Sequence, residues 1–105
     1  MYKIAFFVPE EHKEAVKQAV FNVGAGRIGD YDSCSWETLG VGQFRPLPGA
    51  NPFIGKQGDI EQVQEYRVEL VCRDELVKDA ILALKQAHPY EEPAYDVWRV
   101  DQVVY

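Results

Sequence analysis

The sequence predicts an α+β fold with the element order β-α-β-β-α-β, and three observations carry that expectation. Tyr2, Ile4, Phe6 and Val8 alternate along one face of an opening strand. Two helix-spaced apolar stripes repeat the same pattern 61 positions apart: Ala15, Val16, Ala19, Val20 and Val23, then Leu76, Val77, Ala80, Ile81 and Leu84. All 8 glycines fall between positions 24 and 58, so irregular chain is concentrated between two similar halves. That order predicts a ferredoxin-like split βαβ, an antiparallel sheet with both helices on one face.

Each element has a local reason. After the opening strand, Pro9-Glu10-Glu11 starts the first helix, because proline suits a first turn and acids suit the positive end of the helix dipole. Gly24 is its expected C-cap, and Gly24 to Gly29 is a turn-rich connection. Ser33 to Phe44 has strand character through Trp36, Thr38, Leu39, Val41 and Phe44, while Gly40 and Gly42 predict a bulge or a close backbone approach. From Arg45 to Asp59 the prolines and glycines predict a loop, and a loop of that length in a small domain is often functional. Val63 to Cys72 reads as a strand, with Tyr66, Val68, Leu70 and Cys72 inward and Glu65, Arg67 and Glu69 outward, solvated or paired across a subunit interface. Asp74 is the expected cap of the second helix, which ends near Ala87, and residues 94–104 complete the sheet.

At 105 residues, with 47% hydrophobic and 12% aromatic content, the chain is a single domain, 1–105, with a modest core. Association with further copies would add to its stability. The net charge is -6, and residues 61–105 hold 10 acidic against 5 basic side chains. That balance argues against a nucleic-acid partner, which needs a basic footprint. Aromatic residues on such a sheet can stack RNA bases, but the basic RNP pattern is absent. No apolar run reaches the roughly 20 residues of a membrane span. Glu10-Glu11 follows the apolar start where a signal peptide would place small residues, and Cys34 and Cys72 form no CxxC pair. The expectation is a cytoplasmic protein with reduced thiols.

The segment His88-Pro89-Tyr90-Glu91-Glu92-Pro93-Ala94-Tyr95-Asp96 stands out. Each proline fixes its own φ and pushes the residue before it toward extended geometry, so the segment is stiff. His88, Glu91 and Glu92 are the candidate ligands for a divalent metal, since imidazole and carboxylate suit zinc, manganese or iron. The alternative reading is a helix-end imidazolium favoured by the dipole, beside solvated glutamates. Cys34 with His88 would be a thiolate–imidazole pair, or Cys34 a small buried hydrophobe within a strand. Glu91 and Glu92 could act as an acid–base pair, but neighbours in an extended segment point opposite ways. Arg27, in the glycine-rich connection, could clamp a carboxylate or phosphate; that connection follows a helix rather than opening one, so it makes no phosphate loop. Trp36 and Tyr90 supply aromatic surface beside the loops.

Read together, Gly24 to Trp36, Gly49 to Gly55 and His88 to Asp96 resemble the YqfO-type domain, similar in fold to the CutA and PII proteins. That domain occurs alone and also inserted into bacterial NIF-three-like dinuclear-metal proteins, often labelled GTP cyclohydrolase type-two homologues. The resemblance runs over essentially the whole chain. It implies a CutA/PII-like sandwich that assembles as a trimer, with strands of neighbouring subunits joining. It implies no defined activity, and the metal-binding residues of the larger proteins lie in flanking halves outside the matched motifs. The expectation is a non-enzymatic oligomeric binding or regulatory module taking a small effector or a partner protein. Arg27, Cys34, Trp36, His88 and Tyr90 are its candidate ligand contacts. A divalent-metal protein using His88, Glu91 and Glu92 is the alternative, with a divalent metal as candidate cofactor, and a small enzyme using Cys34 or Glu91/Glu92 follows behind.

Overall fold

A computed structural model describes residues 1–101. Four strands and two helices follow in the order β1 (Tyr2–Val8), α1 (Glu10–Asn22), β2 (Trp36–Phe44), β3 (Glu61–Cys72), α2 (Val77–Ala87) and β4 (Tyr95–Arg99), with a 3-10 turn over Asp74–Leu76 leading into α2. The strands form one sheet in the order β2-β3-β1-β4, and every neighbouring pair is antiparallel. This is the ferredoxin-like arrangement the stripes predict.

The alternation of β1 decides which face is buried. Ile4, Phe6 and Val8 pair with Leu70, Val68 and Tyr66, so the inward residues of both strands lie side by side. They pack against Val16 and Val20 of α1 and Ala80 and Leu84 of α2, all fully buried. The α1 stripe is narrower than expected, because Ala15 is exposed and the core contact falls on the i, i+4 pair Val16 and Val20. Gly24 follows α1 at φ +108°, and its N–H returns to the Phe21 carbonyl at 2.9 Å, the expected helix stop.

Four local expectations change. β2 pairs with β3 without interruption from Trp36 opposite Glu69 to Phe44 opposite Glu61, so Gly40 and Gly42 make no bulge. Cys34 precedes this strand, in the loop. Asp74 makes no side-chain cap; its carboxylate is held by the Met1 ammonium and, at 3.1 Å, by Arg99 of β4. This ties the start of β1 to the ends of β3 and β4, beside a Val100 N–H bond to the Met1 carbonyl at 3.1 Å. The last strand ends at Arg99, and the expected positions 102–104 lie outside the described residues.

The β2–β3 pair runs out beyond the helices, giving principal extents of 52 × 23 × 23 Å. The loop joining them is closed at its base by Gly58 N–H to the Pro46 carbonyl at 2.8 Å, with inner turns from Ala50 N–H to Leu47 and Asp59 N–H to Lys56. The face of the sheet away from the helices carries Glu65, Arg67 and Glu69, each half-buried, with Arg67 ion-paired to Glu69 at 2.8 Å.

Candidate functional site

The 45–59 loop and the His88–Ala94 segment meet at one end of the sheet. The carbonyl of Phe7, near the end of β1, accepts a hydrogen bond from the His88 ring at 2.6 Å, and the Phe7 N–H donates to the Ala94 carbonyl at 3.3 Å. The two bonds fasten His88–Ala94 to the strand on either side, which is the structural reason for its stiffness. From the other side, the Asn51 N–H donates to the Glu91 carboxylate at 2.8 Å, so the 45–59 loop closes down on the same segment.

Between them lies a groove of about 320 Å³. Its walls are aromatic and apolar: Phe7 from β1, Phe44 from β2, Pro52, Phe53 and Ile54 from the loop, and Tyr90. The Tyr90 ring centroid is 6.3 Å from Phe44 and 6.3 Å from Phe53, a spacing at which aromatic rings attract. The charged groups in the lining are Glu65, Glu91 and Glu92, and no lysine, arginine or histidine lines it. The Tyr90 hydroxyl is buried and has no hydrogen-bond partner among the described residues. Burial pushes its pKa up, helped by the negative charges of Glu65 and Glu11. Burial also raises the Glu65 carboxyl above the usual range.

Glu65 lies flat because of the strand opposite. It pairs with Gly40, and its side chain reaches over Gly42, where a Cβ would stand 2.1 Å from Oε1. No backbone approaches either glycine; what a Cβ at Gly42 would meet is this side-chain carboxylate, and at Gly40 nothing lies within 4 Å.

The candidate residues fall into two groups. His88 is buried at 6% exposure, and its two ring nitrogens are both occupied. Nδ1 accepts from the Tyr90 N–H at 3.1 Å, which leaves the proton on Nε2 to donate to Phe7. Desolvation lowers its pKa, so the helix-end imidazolium is replaced by a neutral ring with a structural task. A neutral ring with no open nitrogen cannot bind a metal without giving up one of those bonds, and among the described residues no group of three His, Cys, Asp or Glu side chains is arranged to hold a metal ion. Glu91 and Glu92 do not oppose each other across an extended strand; the chain bends there, and both line the groove.

Arg27, Cys34 and Trp36 sit at the other end. Gly26 bonds Val71 at 2.7 Å and receives the Cys34 N–H at 2.8 Å, which places this connection beside the start of β1. Arg27 and Trp36 are exposed, and Trp36 is separated from Phe44 by the length of β2, about 26 Å at ~3.3 Å per residue. Cys34 Sγ contacts the Asp32 carbonyl at 3.6 Å and has no imidazole beside it, so the thiolate–imidazole pair does not form. Glu65, Phe44 and Phe53 were not singled out as contacts by the sequence; Gly40 opposite Glu65, with Gly42 two residues on, is the one signal that could have found Glu65.

No family model matches the chain. The chain is similar to a GTP cyclohydrolase 1 type 2 homolog of Bacillus subtilis, 47% identical over 100 residues, covering 95% of this chain and 27% of that protein. Among solved structures, a Bacillus cereus protein related to NIF3 superposes with a TM-score of 0.83 at 40% identity, covering 96% of this chain and 26% of that one. CutA1 from Pyrococcus horikoshii superposes with a TM-score of 0.71 at 21% identity, covering 99% and 87%. The chain is built on a CutA-like ferredoxin fold. It spans about a quarter of the length of the curated relatives it matches. No helix among the described residues is long and apolar enough to cross a membrane.

Proposed function

We propose that the chain is a YqfO-type, non-enzymatic binding module, cytoplasmic and trimeric, and that the groove between the 45–59 loop and the His88–Ala94 segment is its small-molecule site. One observation carries this reading. A groove of about 320 Å³ is walled by Phe7, Phe44, Phe53 and Tyr90. A largely apolar pocket with few polar groups, at about 300–1,000 Å³, is the usual form of a small-molecule site. The cyclohydrolase wording belongs to proteins of which this chain spans about a quarter, and the groove brings together no nucleophile with a base.

Ligand-observed and protein-observed NMR with a library of small aromatic molecules tests the site. The expected result is a set of binders that shift the resonances of Phe53, Tyr90 and Ala94 and lose affinity in Phe53→Ala. Binders that shift only distant resonances, or none at all, would remove the groove as the site.

A further inference from the structure

Resting on the groove as the ligand site, we infer that its ligand is an organic cation: a protonated amine carried on a ring-sized apolar body. The lining supplies three carboxylates and no basic group, so an anion such as a nucleotide phosphate would enter against like charge. A bare metal ion is equally unsuited, since the described residues hold no cluster of three ligating side chains. What the groove does lack is a positive charge.

Glu65 makes this concrete. It is half-buried, faces the aromatic walls, and forms no ion pair or hydrogen bond among the described residues. The nearest basic residue on its own strand face, Arg67, is committed to Glu69 at 2.8 Å. Glu91 spends one oxygen on the Asn51 N–H and keeps the other. An ammonium group carries three donors. One can reach the Glu65 carboxylate, which lines the groove. The rings of Phe44, Phe53 and Tyr90 attract the same charge through their faces and cover the apolar body. Gly42 belongs to the device, because a Cβ there would evict the Glu65 carboxylate.

The experiment uses one isosteric series of probes: tryptamine, the neutral alcohol tryptophol and indole-3-propionate. Affinities are measured by calorimetry or NMR titration on the parent chain and Glu65→Gln. The expected order is tryptamine tightest, tryptophol next and the anion weakest, with about tenfold or more lost by tryptamine in Glu65→Gln, as for a charge-assisted bond. Tryptophol binding should be unchanged in Glu65→Gln, which serves as the folding control. Equal binding of all three probes at the groove, or tryptamine binding indifferent to Glu65→Gln, overturns the cation while leaving the groove as a site. No binding of any of the three at the groove overturns both. Groove resonances that shift with protein concentration alone, unmoved by tryptamine, identify a second copy as the occupant and overturn the cation as well.

Discussion

The Nε2–H of His88 donates to the backbone carbonyl of Phe7 at 2.6 Å, across 81 positions of sequence. This bond fixes the loop after α2 to the end of β1 and so holds one wall of the groove. His88→Ala leaves the Phe7 carbonyl and the Tyr90 N–H unpaired, at a cost of about 2–3 kcal/mol in urea unfolding. The pH dependence follows from burial. His88 has a pKa lowered from 6.5 in the folded chain, so on acidification the unfolded state takes up its proton first. Its stabilising contribution is present above pH 6.5 and is lost as pH falls through the depressed folded value. Unfolding midpoints measured across that range should fall in the parent and lose this component in His88→Ala.

Gly42→Ala and Gly40→Ala should behave oppositely despite being two residues apart in the same strand. A Cβ at position 40 meets nothing within 4 Å, whereas at position 42 it collides with the Glu65 carboxylate. Gly40→Ala should stabilise by roughly 0.5–1 kcal/mol through the unfolded chain. Gly42→Ala should gain less or lose, and should return the Glu65 carboxyl toward its ordinary 4.5, because the side chain is pushed into water. In the parent the raised pKa means that Glu65 opposes folding as pH climbs from 4.5 through its folded value, and this opposition should shrink in the variant. Carboxyl-carbon NMR titration reads it directly.

Glu37 of β2 anchors α1 through Lys13 and, at 2.9 Å, Lys17. The hydrogen bonds from Lys13 and Lys17 lower its pKa below 4.5. Stability from this group is therefore present above pH 4.5 and disappears as pH falls through the depressed value. Glu37→Gln should cost about 0.5–1 kcal/mol at neutral pH and low salt, and nothing measurable at pH 2 or in molar salt.

The outer edge of β2 is open for nine residues, with Leu39 54% and Val41 70% exposed on its helix-side face. An uncovered edge of that length is a template for strand pairing with another chain. If the trimer we propose joins there, Leu39→Lys with Val41→Lys should convert it to monomer in sedimentation velocity. A parent chain that sediments as monomer at every concentration would end that proposal.

Much of the fold was legible because it rests on period. Ile4, Phe6 and Val8 alternate, and the stripes ending in Leu84 and Val23 repeat, so sheet, helices and core faces follow from spacing alone. The site was legible only as segments. Gly49 to Gly55 and His88 to Asp96 were singled out, and they do meet, but spacing says nothing about which groups face each other across 40 positions. Glu65 looked like an outward position of an alternating strand, solvated or paired across a subunit interface; its burial depends on the missing side chain of Gly42 and on the 45–59 loop folding back. His88 looked like a charged helix end because its acceptor, a backbone carbonyl, has no signature in sequence. Asp74 looked like a cap for the same reason in reverse, since its partners Met1 and Arg99 are remote in the chain.

The bond between Val100 and Met1, together with Asp74 gripping the Met1 ammonium and Arg99, has an architectural consequence. The two ends of the described fold emerge side by side at one end of the sheet, on neighbouring antiparallel strands. A longer polypeptide could leave its own fold and re-enter it at nearly the same point, with this unit hanging outside like a pendant. Such a unit can be gained or lost as a cassette without moving the flanking parts of its host, and its groove, at the far end of the strands, would face away from the point of attachment.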